Sequence, residues 1–186
     1  MGQYYRVYTK DAEGAVKIFS PTMGLKIMEH SWWKNDFVNA IATMLNWDPH
    51  RVAWIGDYAE PDDCMGVEGC IKLEAMEMVN SIFDMEEASL EVNKEGQLSE
   101  ENKVLQLTMD NKFLVNHTKK EFINLTKYYK QCVDSDGWCI HPLPLLTAVG
   151  NGRGGGDYYS ENGAKDVGRW AFDLLEIDDL PPQLSN

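Results

Sequence analysis

Apolar and polar positions alternate in short runs near both ends of the chain and fall at helical spacing between them. Tyr4-Tyr5-Arg6-Val7-Tyr8 and Ala15-Val16-Lys17-Ile18-Phe19 are rich in aromatic and β-branched residues. Joined by Asp11-Ala12-Glu13-Gly14, they predict a β-hairpin. Asn35-Asp36 is placed to cap a helix over Phe37-Val38-Asn39-Ala40-Ile41-Ala42-Thr43-Met44-Leu45. The Trp-bearing run Arg51-Val52-Ala53-Trp54-Ile55 reads as a third strand.

The same order returns in the second half. Phe113-Leu114-Val115-Asn116 and Glu121-Phe122-Ile123-Asn124-Leu125, joined by His117-Thr118-Lys119-Lys120, predict another hairpin. Pro142 suits the first turn of a short helix over His141 to Val149, although Pro144 weakens the pattern. Arg169-Trp170-Ala171-Phe172 reads as the closing Trp-bearing strand. Between the halves, Ile71, Ala75, Met78, Val79 and Ile82 define the apolar stripe of a helix over Cys70 to Ala88. Pro61-Asp62-Asp63 is a turn before it, Gly96 breaks the pattern after it, and Lys103 to Thr108 suggests a short strand.

The expected fold is therefore α+β, a single domain of two imperfect β-hairpin–helix–strand units sharing a mainly antiparallel sheet. The first half spans 4–60, an acidic helical insert 61–108, the second half 110–178 and a tail 179–186.

Composition sharpens this picture. The 186 residues are 44% hydrophobic, ordinary for a globular domain. No run approaches the about 18 uninterrupted apolar residues of a membrane span. Met1-Gly2-Gln3-Tyr4-Tyr5-Arg6 lacks the apolar core of a secretion signal, so a cytoplasmic location, in a host cell, is expected. The net charge is −13, and it is concentrated. Residues 57–101 hold fourteen acids against two bases, while the remaining chain is nearly neutral. Glu74, Glu77, Asp84, Glu86 and Glu87 lie in the predicted helix, away from its apolar stripe or just beyond it. Such a face either aids solubility or recognises a basic partner, and it repels nucleic acid directly.

The most distinctive local feature is Gly150-Asn151-Gly152-Arg153-Gly154-Gly155-Gly156-Asp157. Consecutive glycines allow positive φ and close backbone approach, and their amides can form an anion-binding nest. Gly152, Arg153, Gly154, Gly155 and Asp157 are the candidate ligand-binding residues. Gly150, Gly152 and Gly155 spell G-x-G-x-x-G, but a helix is expected before them, not a strand. The bland alternative is a flexible connection.

Other candidate chemistry is sparse. Cys64, Cys70, Cys132 and Cys139 have C-x5-C and C-x6-C spacings, unlike zinc knuckles, so free thiols are expected and no metal or cofactor. Asp57 and Asp157 end comparable segments and form a carboxylate pair if the halves pack symmetrically; capping or turn duty is the commoner role. Lys112, Lys119, Lys120, Lys127 and Lys130 make a basic stretch suited to face the acidic insert. Trp32-Trp33 and Trp47 supply core or interface. No hydrolase or metalloprotease signature is present, which argues against an enzyme.

Met1-Gly2-Gln3-Tyr4-Tyr5, Gly24-Leu25-Lys26-Ile27-Met28-Glu29-His30, Ala53-Trp54-Ile55-Gly56-Asp57-Tyr58-Ala59 and the Gly150 to Asp157 run together resemble a group of bacterial and viral proteins without an assigned activity. These begin MGQYY or MGQYW and carry GLKL-E, GNGRGGGD, WAGD-like and GDYAD-like segments. Trp170-Ala171-Phe172-Asp173 departs from that pattern, with Phe where it has Gly. The resemblance covers most of both halves, not the insert, and implies no catalytic residue. Size and charge are also similar to phage-encoded inhibitors of host defence, including several anti-CRISPR proteins, a likeness of composition without a shared motif.

Two functions follow as expectations. One is a phage- or mobile-element-encoded binding protein that inhibits a nucleic-acid-handling defence enzyme, with Glu74, Glu77, Asp84, Glu86 and Glu87 entering a basic channel. The other is a protein that binds a phosphate or nucleotide at the glycine loop.

Overall fold

The computed structural model describes residues 2–21, 26–29, 31–68, 71–88, 111–159, 166–179 and 181. Among these residues, seven strands form one mainly antiparallel sheet in a single α+β domain. β1 (Tyr5–Lys10) and β2 (Val16–Phe19) are the expected first hairpin, closed at Gly14 with φ 89°. β3 (His50–Gly56) pairs antiparallel with β1. β4 (Phe113–Asn116) and β5 (Glu121–Asn124) form the second hairpin, and β7 (Leu174–Asp178) pairs antiparallel with β4. β3 and β7 meet at the centre, giving the order β2-β1-β3-β7-β4-β5. A two-residue strand, β6 (Ala148–Val149), runs parallel to β3 at Trp54 and Ile55.

Strand alternation separates two cores. Val7, Val52 and Trp54 point to one face, which α1 (Asp36–Trp47) covers with Val38, Ile41, Ala42 and Leu45. Asn35 caps α1 as expected, its side chain accepting from the Val38 amide at 3.1 Å. Tyr8, Ala53 and Ile55 point to the other face, which α2 (Ile71–Ser81) covers with Ala75, Met78 and Val79. The described helix of the acidic insert is thus a docked layer of the domain.

Several predicted boundaries shift. α2 stops at Ser81 and passes into a 3-10 turn over Ile82–Asp84, short of the expected Ala88. The reason is Arg6 on β1. Its Nη1 donates to the carbonyls of Ile82, Phe83 and Met85 at 3.1, 3.2 and 3.3 Å, taking up oxygens that a longer helix would use internally. The second-half strand moves as well. Residues 167–172 are turns, and the strand is β7, whose Leu175 and Ile177 are buried between less buried neighbours. Trp170 is fully buried within that turn region, so its aromatic character reflects burial and not a strand. Phe172 has φ 65° and is held there by its amide, which donates to the Val52 carbonyl at 2.8 Å. The glycine that the resembling pattern has there adopts such a φ freely.

Leu125 leaves the predicted strand to open α3 (Leu125–Cys132), which Asn124 caps by accepting from the Lys127 amide at 2.8 Å. α4 (Pro142–Thr147) is shorter than predicted because Ala148 and Val149 join the sheet. Cys70, Gly96, the Lys103 to Thr108 segment and residues 182–186 lie outside the described residues. Among those described, no helix is long and apolar enough to cross a membrane.

Candidate functional site

The glycine loop follows β6 and folds back on itself around Asp157. One Asp157 oxygen, Oδ2, accepts from the amides of Gly152, Arg153 and Gly154 at 2.8, 3.0 and 3.0 Å. The other, Oδ1, accepts from the Tyr5 hydroxyl at 3.0 Å. The carboxylate is 1% exposed. The expected nest therefore exists, and the anion in it is the chain's own Asp157. Arg153 is also engaged. Its guanidinium grips Asp63 through Nε at 2.8 Å and Nη2 at 3.0 Å, and reaches Glu60 at 3.2 Å. The Asp63 bond and the nearby acids hold its pKa above the ordinary value.

Segments far apart in sequence converge on this loop. Gln3 is fully buried; its amide nitrogen donates to the Tyr5 hydroxyl at 2.7 Å and to the Gly150 carbonyl at 3.0 Å. The Gln3 backbone donates to the Gly155 carbonyl at 3.1 Å, and the Met28 amide to the Gly156 carbonyl at 2.9 Å. Gly150 has φ 86° and lies so close to Ala59 that a Cβ there would come within 2.7 Å of it. Burial and the Asp157 carboxylate push the Tyr5 phenol far up, so it remains a neutral donor. Described residues of four separate segments, Gln3 and Tyr5, Met28, Ala59 and the glycine loop, thus pack into one place. Gln3 and Tyr5 were the residues that loop chemistry alone did not point to; the signal was the Met1-Gly2-Gln3-Tyr4-Tyr5 run.

Asp57 and Asp157 serve separate partners. Asp57 closes the β1–β3 edge, with Oδ1 accepting from the Tyr4 amide at 3.0 Å and its own amide donating to the Tyr4 carbonyl at 2.9 Å. Among the described residues, no three His, Cys, Asp or Glu side chains are grouped as a metal ion requires. Beside the loop opens a cleft of about 420 Å³ lined by Asp63, Lys119, Asn151, Gly168, Arg169 and Phe172.

The acidic insert divides into anchors and outward groups. Glu74 turns inward. It accepts from the Tyr8 hydroxyl at 2.5 Å and pairs with Lys10 at 2.9 Å. Burial pushes its pKa up, but the Tyr8 and Lys10 bonds outweigh this and hold the carboxyl below its ordinary value. Glu87 pairs with Arg6 at 2.7 Å, beside the stack of Arg6 on Phe83. Glu77, Asp84 and Glu86 are exposed. Leu73 is 67% exposed and lies one helical turn from Glu77.

Two lysines of the basic stretch pair with acids outside the insert. Lys119 pairs with Asp173 at 2.6 Å and Lys112 with Asp179 at 2.8 Å, both acids near the end of the chain. Among the described residues, the body cations paired with acids of the insert are Arg6, Lys10 and Arg153. No family model, curated protein or solved structure matches this chain.

Proposed function

We propose that the chain is a binding protein that inhibits a nucleic-acid-handling enzyme, such as a nuclease of a host defence system, by seating the outer face of α2 in that enzyme's basic channel. The observation that carries this reading is that Leu73 and Glu77 are both exposed one turn apart on a firmly docked helix, with Asp84 and Glu86 exposed just beyond its end. An exposed apolar side chain among carboxylates is the make-up of a protein-recognition surface: the apolar group anchors, and the charges steer and select a positive partner. Glu74 and Glu87, tied to Lys10 and Arg6, hold the element in place and take no part in the contact. Glu77, Asp84 and Glu86 are the partner-facing groups.

The test is inhibition of purified RNA-guided nucleases by the wild-type chain and by a Glu77→Lys, Asp84→Lys, Glu86→Lys triple variant. The variant keeps its fold and loses inhibition, and wild-type binding weakens as salt rises. Equal inhibition by both proteins removes the acidic-face reading.

A second reading rests on the cleft beside the glycine loop. Lys119 and Arg169 border it, paired with Asp173 and Glu121 at its rim, and a small anionic ligand such as a nucleotide would compete with those carboxylates there, whereas Asp157 fills the loop amides from within the fold. A thermal-shift screen with nucleotides and cyclic nucleotides tests it; no shift across the panel removes it.

A further inference from the structure

The loop joining α3 to α4 brings two thiols together. Asp134 builds the loop: its Oδ1 accepts from the amides of Asp136 and Trp138 at 3.0 and 2.9 Å. Its backbone closes the turn, the amide donating to the Trp138 carbonyl at 2.9 Å and the carbonyl accepting from Gly137 at 3.1 Å. That backbone pair sets the end of α3 beside the returning chain. Cys132 lies on one side and Cys139 on the other. Both thiols donate to the same acceptor, the Ile140 carbonyl, at 3.9 and 3.4 Å. Cys139 is buried and Cys132 half-buried, and both are free thiols. Cys64, in contrast, is buried in the core beneath α2.

We propose that Cys132 and Cys139 form a dithiol site that a low-molecular-weight disulfide, such as oxidised glutathione, converts reversibly into an intramolecular disulfide. The more accessible Cys132 attacks as its thiolate, breaking the sulfur–sulfur bond of oxidised glutathione and releasing one glutathione thiolate. Cys139 then loses its proton and its sulfur attacks the Cys132 sulfur, forming the protein disulfide and releasing the second glutathione. The protein loses two hydrogens, and one oxidised glutathione becomes two reduced ones. Burial and the neighbouring Cys132 thiol push the Cys139 pKa well up, which suits it to the second step and not the first. The bond ties the end of α3 to the segment carrying His141, which caps α4. This site is independent of the acidic face.

The full-length chain is equilibrated in glutathione buffers of graded ratio, acid-quenched, alkylated and digested with trypsin. Cleavage after Lys130 and Arg153 leaves both cysteines in one peptide. The expected result is an unalkylated peptide two hydrogens lighter, growing with the oxidised fraction and reversed by dithiothreitol. Cys139→Ser instead accumulates a glutathione adduct at Cys132, and Cys132→Ser leaves Cys139 reduced. A wild-type peptide that is doubly alkylated at every ratio, or that carries only a glutathione adduct, overturns the proposal. The wild-type peptide decides the matter even if either serine variant fails to fold.

Discussion

The Tyr5 hydroxyl donates to Asp157 Oδ1 at 3.0 Å and so ties the first strand to a carboxylate 152 residues later. Three loop amides fill the other oxygen of the same group. The glycine run is thereby converted from a free anion nest into a closed staple. That result moves the functional reading away from the loop and toward the surfaces around it.

Removing this staple exposes its role. Asp157→Ala leaves the Tyr5 hydroxyl and three amides without their acceptor, an expected loss of about 3 kcal/mol or more. Tyr5→Phe removes two bonds, the one donated to Asp157 and the one accepted from Gln3, and costs about 1–3 kcal/mol. Urea unfolding measures both. A loop that served only as a passive linker would show little change in either variant.

The loop glycines are unequal. Gly150 and Gly152 both have positive φ, at 86° and 91°. A Cβ at Gly150 meets Ala59, including its backbone, whereas one at Gly152 meets nothing within 4 Å. Gly152→Ala therefore carries only the left-handed backbone cost of about 1–2 kcal/mol. Gly150→Ala adds a collision with β3's own turn and is the more destabilising of the two by urea unfolding. Equal losses would mean that the close approach at Ala59 has no energetic weight.

Where pattern and local chemistry coincide, the fold is legible in the sequence. The two hairpins and α1 rest on alternation and on the Asn35 cap, all set within a few residues. The closing strand was not legible from its aromatic residues. Trp170 and Phe172 are buried from a turn, while the alternation that marks β7 begins at Leu174. The loop's chemistry was half legible. Five glycines before an aspartate signalled a nest, but its occupant is settled by Tyr5 and Gln3, brought in by tertiary pairing. Likewise helical spacing located α2, and only the Arg6 contacts decide where it ends and which glutamates face inward.

Phe172 sets two terms against each other. Its φ of 65° is strained for a side chain, and glycine relieves about 1 kcal/mol of that. Its ring is 2% exposed and packs on Tyr8 with centroids 5.4 Å apart. Emptying that space costs about 3–5 kcal/mol. Phe172→Gly is therefore destabilising on balance, although glycine suits the backbone, and thermal unfolding reads the sign.

The insert separates folding from binding. Arg6→Ala removes three carbonyl contacts, the Glu87 pair and the stack on Phe83 at once. It is expected to cost about 2–3 kcal/mol. Arg6→Lys recovers little, because an ammonium cannot span that fan of acceptors. Glu77→Gln on the outer face stays within about 0.5 kcal/mol of wild type. If Glu77→Gln unfolds the chain as Arg6→Ala does, the outer face is structural.

Acid acts on two groups in the same direction but in different ranges. Burial lowers the pKa of His141 from 6.5 to about 3, and its Nδ1 accepts from the Leu143 amide at 3.1 Å. The unfolded chain takes up a proton near pH 6.5 that the folded chain refuses until about pH 3. The stability that His141 contributes is thus complete above pH 6.5 and falls as the pH drops toward 3, by up to about 1.4 kcal/mol per pH unit. Glu74, held below its ordinary value of 4.5 by Tyr8 and Lys10 against the opposing effect of burial, contributes stability above that value. This is lost as the pH falls through the depressed folded value. His141→Asn keeps a capping acceptor and removes the upper slope; Glu74→Gln removes only the lower one. Urea midpoints between about pH 7 and pH 3 separate the two, since the imidazole and carboxylate ranges differ. A His141→Asn variant with the wild-type slope between pH 6.5 and about 3 would place the acid sensitivity on other groups.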